Sequence, residues 1–267
     1  MVGCIVLVGA GNVATHIGLA LVRGGFHVAQ VYSRTEQSAA RLAGVLGCAA
    51  VTRTDLLATD ADAYIISVKD DALPDLLPGV CARNPQATFL HTAGSVSLDV
   101  FRGYAEHAAV LYPMQTFSRE RPLDFREIPC FVEWTDKQSE RAVMALATAL
   151  TDVVHVLSSD RRRYLHLAAV FACNFANHCY AIAADVLERA GLPFDVMLPL
   201  VDETARKVHA LPPREAQTGP AVRYDQGVMD RHLALLGGEE GWKDIYRLMS
   251  ESIHKECVQK ARNKQHD

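Results

Sequence analysis

Two glycines and an alanine stand near the start of the chain at the spacing G-x-G-x-x-A, as Gly9, Gly11 and Ala14. The first glycine of such a pattern permits a tight turn, the second lets the backbone approach a phosphate, and a small third residue lets a helix pack on a sheet. Because an apolar run precedes the pattern and helical periodicity follows it, we predict a dinucleotide-binding turn formed by Gly9, Gly11, Asn12, Val13 and Ala14. The alternative is a tight glycine turn that binds nothing.

The end of the second apolar run, VYSRTEQ, indicates which dinucleotide is bound. An NAD site usually has an acidic residue about 20 residues after the turn, which binds the ribose 2′-hydroxyl. Here Tyr32 and Ser33 occupy those positions, followed by Arg34 and Thr35. A guanidinium beside two hydroxyls can bind a 2′-phosphate, whereas a carboxylate would repel it. We therefore predict NADP(H), with Ser33, Arg34 and Thr35 around the phosphate; Glu36 is the counter-evidence.

Three later loops should face the ligand, because ligands of such sheets lie at the carboxyl ends of the strands. They are SVKDDAL from Ser67, HTAGS from His91 and YPMQTF from Tyr112. Each loop alone is equally consistent with an ordinary turn, but their shared placement favours a site. We predict cofactor contacts by Ser67, Val68, Thr92, Ala93 and Gly94, and substrate contacts by Gln115 and Thr116.

A long segment, YLHLAAVFACNFANHCYAIAADVLERAG, is apolar nearly all round, as is typical of a buried helix. Its few polar residues fall within an arc of about 120°. Partners inside the domain or across a dimer could satisfy them, but Asn174 is our candidate for substrate contact. In TGPAVRYD, Arg223 could bind a substrate carboxylate; a structural pair with Asp225 is an equal alternative.

Apolar strand-like runs alternate with helical patterns up to residue 157, and only helical patterns follow. This layout predicts an α/β fold with a Rossmann-like, mainly parallel sheet in an NADP-binding domain (1–157), followed by an all-α domain (158–267) for substrate binding and dimerisation. The small net charge of −4 argues against nucleic-acid binding, and we interpret the basic run 161–163 as a solvated face. Seven cysteines without metal-ligand spacing predict no metal and a cytoplasmic location. Polar interruptions of every long apolar stretch predict no membrane span.

The segments GAGNVA, SRT, HTAGS, PMQTFS, HLAAVFACNFANH and TGPAVRYD together resemble one bacterial family of NADP oxidoreductases, over essentially the whole chain. That family has a Rossmann-like domain and a helical C-terminal domain of unknown function. More distantly, the layout is similar to pyrroline-5-carboxylate reductase, ketopantoate reductase and 6-phosphogluconate dehydrogenase-like proteins. The resemblance implies NADP binding, a substrate cleft between the domains and a homodimer through the helical domain. This chain departs from the family at Tyr112, where a histidine is usual, and at Tyr224, where a glycine is usual.

These residues favour hydride transfer from NADPH to a small carboxylated carbonyl or imine compound. Reduction of a ketone also needs a proton, for which His91, His166 and Lys69 are the candidate donors, with Asn174 beside the substrate. An imine that is already protonated needs only hydrogen-bond donors and an anion site. The alternative function is a non-catalytic NADP(H)-binding redox sensor or regulatory protein, because a fold alone does not establish chemistry.

Overall fold

The computed structural model describes residues 2–263, with side-chain surroundings described through Gln259. The chain divides into two compact units, one ending at Asn174 and the other beginning at Phe175. This division lies inside a long helix. The predicted boundary at residue 157 instead follows the last strand of the first unit.

The first unit is built on one eight-stranded sheet with the order β3-β2-β1-β4-β5-β6-β7-β8. All neighbouring strands are parallel except the antiparallel pair β6 and β7. This confirms the predicted fold class. The strands are β1 (Cys4–Val8), β2 (His27–Tyr32), β3 (Ala49–Val51), β4 (Ala63–Ile66), β5 (Thr88–His91), β6 (Ala108–Pro113), β7 (Cys130–Trp134) and β8 (Val154–Val156).

Helices connect the strands and then continue alone. Within the sheet region they are α1 (Asn12–Arg23), α2 (Glu36–Leu46), α3 (Leu73–Cys81) and α4 (Lys137–Leu150). The later helices are α5 (Ser159–Ala169), a π-helical turn (Val170–Phe175), α6 (Ala176–Arg189), α7 (Leu198–Ala210), α8 (Pro213–Ala216), α9 (Pro220–Arg223), α10 (Gln226–Leu235) and α11 (Glu240–Asn263).

Strand β1 shows why the sheet forms. Side chains alternate between the two faces of a strand. Ile5 and Leu7 belong to a core that includes α1, α2 and α4, whereas Val6 and Val8 belong to a second core that includes α3. All four side chains are fully buried. Burial of each side chain contributes about 1.5–3 kcal/mol to the free energy of folding. A strand whose side chains are all apolar gains this free energy in full only when both faces of the sheet are covered.

The long helix from Ser159 to Arg189 differs from the prediction in its burial. We expected a buried helix, but Tyr164 is 77% exposed and Leu167 is 53% exposed. By length and composition alone this helix could cross a membrane, and none of its most apolar window is buried within the chain. The absence of a membrane span therefore stays a prediction.

Candidate functional site

The glycine turn follows β1 and opens α1 as the sequence predicts. Gly9 has φ of 123°, and a Cβ there would lie 2.0 Å from the carbonyl oxygen of Ser67, so only glycine fits. At Gly11 an added Cβ would meet nothing within 4 Å, and no side chain caps the helix there. A helix start without a side-chain cap, beside a backbone without side chains, suits a pyrophosphate group, so this turn fits the phosphates of NADP(H).

The end of β2 offers a second place for an anion. Arg34 and Thr35 are exposed and Ser33 is half-buried, directly before α2. Within the described part of the chain, no carboxylate pairs with Arg34. The exposed guanidinium and the neighbouring hydroxyls therefore fit a 2′-phosphate, the group that distinguishes NADPH from NADH.

The loops after β4 and β5 lie side by side, because these two strands are parallel neighbours and their carboxyl ends lie at the same edge of the sheet. Ser67 donates its backbone N–H to Val8 at 2.7 Å, and Thr92 donates its backbone N–H to Ile66 at 3.2 Å. The predicted cofactor residues Ser67, Val68, Thr92, Ala93 and Gly94 therefore gather at the carboxyl ends of neighbouring strands.

His91 is not placed to act as a general acid. Its side chain is completely buried on β5, where Nδ1 accepts a hydrogen bond from the backbone N–H of Ala93 at 3.2 Å. Burial, with the charge of Arg162 adding to it, lowers the pKa of His91 to about 3. The ring is therefore neutral near pH 7, and a neutral imidazole is a far weaker acid than an imidazolium, which corrects our interpretation of His91 as a proton donor.

Lys69 does not meet the condition on which its candidacy rested. We expected an ammonium group withdrawn from water, but Lys69 is exposed in the loop after β4. A buried lysine loses charge readily, whereas an exposed one keeps its hydration. The structure therefore gives no support to Lys69 as the proton donor.

His166 and Tyr112 form the polar pair that remains at this edge. The Tyr112 hydroxyl lies 3.2 Å from His166 Nδ1, and the rings meet edge to face at 6.0 Å. Both rings rest on Gly94, where an added Cβ would come within 2.6 Å of His166 Nδ1 and 3.0 Å of Tyr112 Cε2. Gly94 thus leaves space for the pair, a role that its place in HTAGS did not reveal. Tyr112 fills the family's histidine position with another proton-bearing group.

The protonation of Tyr112 follows from its surroundings. The side chain is 9% exposed. Burial raises the pKa of Tyr112, the nearby Cys173 and Asp70 raise it further, and Arg162 opposes them. The phenol therefore keeps its proton at neutral pH and can donate it in a hydrogen bond.

A buried ion pair, missed by sequence reasoning, holds the start of α5. Arg162 is fully buried and contacts Glu133 of β7 at 2.8 Å, which corrects the interpretation of a solvated face for this residue alone. Its neighbours Arg161 and Arg163 are exposed. The Arg162 guanidinium also donates to the Val96 carbonyl and to the Ser159 hydroxyl. His166 follows one helical turn later, so this network fixes the helix that carries it.

None of the other predicted substrate residues makes a hydrogen bond to Tyr112 or His166 among the described residues. Gln115 and Thr116 are exposed, and Gln115 Oε1 accepts the backbone N–H of Thr116 at 2.8 Å. Asn174 is exposed in the π-helical turn. In the helical unit, Arg223 is exposed without a carboxylate partner among the described residues, so the alternative pair with Asp225 does not form. Asp225 instead caps α10 by accepting the N–H of Val228.

The backbone conformation at Tyr224 is one that favours glycine, the residue expected at this position from the family resemblance. Tyr224 has φ of 52°, in the left-handed region, where it ends the short helix α9. Glycine adopts this conformation without steric cost, whereas tyrosine is strained there. The Tyr224 ring lies 4.4 Å from the His254 ring, a contact that a glycine could not make.

Two family profiles match the chain. One is described as NADP oxidoreductase, coenzyme F420-dependent, and matches residues 4–90. The other is a domain of unknown function, DUF2520, and matches residues 128–253. A comparison with curated proteins finds no match.

Several solved structures are similar to the chain. The chain is 48% identical to a "putative NADP oxidoreductase" from Bacteroides fragilis, covering 95% of this chain and 98% of that chain, with a TM-score of 0.92. An imine reductase from Myxococcus stipitatus, in complex with NADP+, is 15% identical over 97% of this chain and 94% of its own, with a TM-score of 0.61. A 1-pyrroline-5-carboxylate reductase from Streptococcus pyogenes is 13% identical over 94% and 98%, with a TM-score of 0.63. The last two show similarity of fold alone.

The relative from Bacteroides fragilis covers almost the whole chain, and the NADP oxidoreductase profile matches the part of the chain that contains the glycine turn. The predicted cofactor NADP(H) and the predicted enzyme class are thereby confirmed. The chain belongs to the family of NADP-dependent oxidoreductases that join an NADP oxidoreductase domain to a DUF2520 domain.

Proposed function

We propose that the protein is an NADPH-dependent reductase of a small carboxylated carbonyl or imine compound. The observation that carries the proposal is the contact between Tyr112 and His166 over Gly94, at the strand edge that also holds the glycine turn. An oxidoreductase of this kind needs a hydride source and a group that supplies or orients a proton. The glycine turn proposed for the cofactor and the polar pair proposed for the proton both belong to one compact unit, which supports the proposal.

The cofactor residues follow from the strand ends. We propose that Gly9, Gly11, Asn12, Val13 and Ala14 hold the pyrophosphate, that Ser33, Arg34 and Thr35 bind the 2′-phosphate, and that Ser67, Val68, Thr92, Ala93 and Gly94 line the remainder of the cofactor site. When bound, NADPH supplies the hydride for the reduction. The protein's part is to orient the two reactants and to handle the proton.

Tyr112 is the proposed proton donor for a carbonyl substrate. As the carbonyl carbon receives the hydride, its oxygen takes the phenolic proton and the product is an alcohol. A proton relayed from solvent through His166, which lies 3.2 Å from the Tyr112 hydroxyl, then restores the phenol. If the substrate is an iminium, its nitrogen already carries a proton. Tyr112 and His166 then only orient the substrate, and replacing either should lower kcat by less than it does for a carbonyl substrate.

Substrate recognition is proposed to involve a carboxylate. Arg223 offers an exposed guanidinium with no carboxylate partner among the described residues, and a guanidinium binds a carboxylate through two parallel hydrogen bonds. Asn174, Gln115 and Thr116 are proposed as neutral donors. Arg223→Met should therefore raise KM for carboxylated substrates. It should change KM little for their esters, which carry no carboxylate charge.

A homodimer is proposed because the helical unit buries too little of its own apolar surface. Among residues 175–259, only Ala221, Met229 and Leu236 are buried hydrophobics. Asn174 and Asn177 interrupt the exposed long helix, and amides are unfavourable in lipid, so a second copy is a better cover than a membrane. The seven cysteines are free, which is consistent with the proposed cytoplasmic location.

Sedimentation velocity at several concentrations tests the dimer. Leu167→Glu should shift the protein to monomer, whereas Val45→Glu, a matched change at an exposed residue of α2, should not. If both variants and the wild type sediment as monomers, the dimer proposal is wrong.

The activity is tested with purified protein, NADPH, and a panel of 2-oxo acids and cyclic imines, followed at the nicotinamide absorbance. Tyr112→Phe should lower kcat for the oxo acids by about 10²–10⁴-fold and should affect imines less. Tyr104→Phe, at an exposed tyrosine, is the matched control. Unchanged kcat with every substrate in Tyr112→Phe would refute the proton assignment. NADPH binding without turnover across the panel would favour the sensor instead.

A further inference from the structure

Two arginines from distant parts of the chain meet at the glycine turn. Arg41, on α2, and Arg119, in the loop between β6 and β7, both donate through Nη2 to the carbonyl oxygen of Ala10, at 3.0 and 3.3 Å. Ala10 stands between Gly9 and Gly11. Since both nitrogens touch one atom, two positive charges lie beside the backbone that is expected to receive the pyrophosphate.

The loop that carries Arg119 is held across the start of α1 by contacts of its own. Asn12 Nδ2 donates to the Phe117 carbonyl at 2.8 Å, and His16 Nε2 donates to the Ser118 carbonyl at 2.9 Å. The rings of His16 and Phe117 also meet at 5.1 Å. The position of Arg119 is therefore set by α1 itself and does not depend on its bond to Ala10.

Neither arginine has its charge balanced. No carboxylate lies within ion-pair distance of Arg41 or Arg119 in the part of the chain that the structure describes, and both residues are exposed. A single carbonyl is a neutral acceptor that two like charges must share. A phosphate is an anion that guanidinium groups bind strongly, through paired and charge-assisted hydrogen bonds.

We propose that Arg41 and Arg119 bind the pyrophosphate of NADPH, and that residues 117–119 form a strap that fixes Arg119 over the start of α1. This rests on the cofactor site described under the proposed function. It assigns to two further residues a task distinct from that of Arg34. Because NADH and NADPH share the pyrophosphate, this pair should serve both, whereas Arg34 should favour NADPH.

Binding constants test this assignment without any substrate. The Kd values of NADPH and NADH are measured by titration calorimetry for the wild type, Arg119→Gln, Arg41→Gln and the matched control Arg121→Gln, an exposed arginine of the same loop. Loss of a charge-assisted hydrogen bond should raise Kd about tenfold or more, equally for the two nucleotides. Arg119→Lys should recover only part of the loss, and Arg121→Gln should change little.

The outcomes separate this inference from the proposed function. Wild-type protein that binds neither nucleotide would sink both. Tight wild-type binding that Arg119→Gln weakens no more than Arg121→Gln would overturn the strap alone. A loss confined to NADPH would assign the pair to the 2′-phosphate, which also contradicts the proposal. Melting temperatures of all variants should match the wild type, since both arginines are exposed.

Discussion

Replacement of Gly94 by alanine tests the centre of the proposed site with one methyl group. An added Cβ would lie 2.6 Å from Nδ1 and 2.8 Å from Cγ of His166, and 3.0 Å from Cε2 of Tyr112. Ordinary contact requires about 3.5 Å, so the imidazole must move by roughly 0.9 Å. Both rings are partly enclosed, and the start of α5 is anchored by the buried Arg162, so this shift cannot occur freely.

The size of the effect follows from this crowding. An extra methyl group in a packed site costs about 1–3 kcal/mol of unfolding free energy, which corresponds to a fall of about 2–4 °C in Tm for each kcal/mol. A displacement near 1 Å of a reacting group can lower the rate about 100-fold. We therefore expect Gly94→Ala to melt earlier than the wild type and to lose most of its kcat in the reductase assay.

Gly44 supplies the matched control, because it lies in α2 and an added Cβ there would meet nothing within 4 Å. Alanine is more favourable than glycine inside a helix by about 0.5–1 kcal/mol, so Gly44→Ala should be slightly more stable and fully active. If Gly94→Ala were as stable and as active as Gly44→Ala, the contact between Tyr112 and His166 would have no role in the reaction.

Three further changes test other parts of the structure. Arg34→Asp should weaken NADPH binding by about 10–100-fold and NADH binding far less, by titration calorimetry; equal losses would separate Arg34 from the 2′-phosphate. Glu133→Ala should lower the free energy of urea unfolding by about 3–5 kcal/mol, because it leaves the buried Arg162 unpaired; a loss below about 1 kcal/mol would contradict the ion pair. Burial raises the pKa of Asp136, but hydrogen bonds from the Ser139 backbone and from His107 lower it by more. The charged carboxylate therefore stabilises the fold above about pH 4, and this stability is lost as the pH falls further, so Asp136→Asn should show a smaller acid-induced loss of unfolding free energy than the wild type.

The sheet was largely predictable from sequence because its signal is local. Continuous apolar runs identify strands that are buried on both faces, as the burial of β1 and β4 shows. Strand β3, Ala49–Val51, was not predicted, because three small residues show no periodicity. The long helix was predicted in place, and within this chain it is exposed. An apolar sequence predicts burial but does not identify the surface that provides it.

The nucleotide turn was likewise determined by sequence, because Gly9, Gly11 and Ala14 act within a few residues of one another and glycine alone tolerates the backbone at Gly9. Only the tertiary structure decided what surrounds the turn. It withdrew His91 into the core, placed His166 against Tyr112 across 54 positions of the chain, and brought Arg119 to Ala10 across 109 positions. Such contacts depend on strand order and on the path of loops over the sheet, which no local pattern of residues encodes.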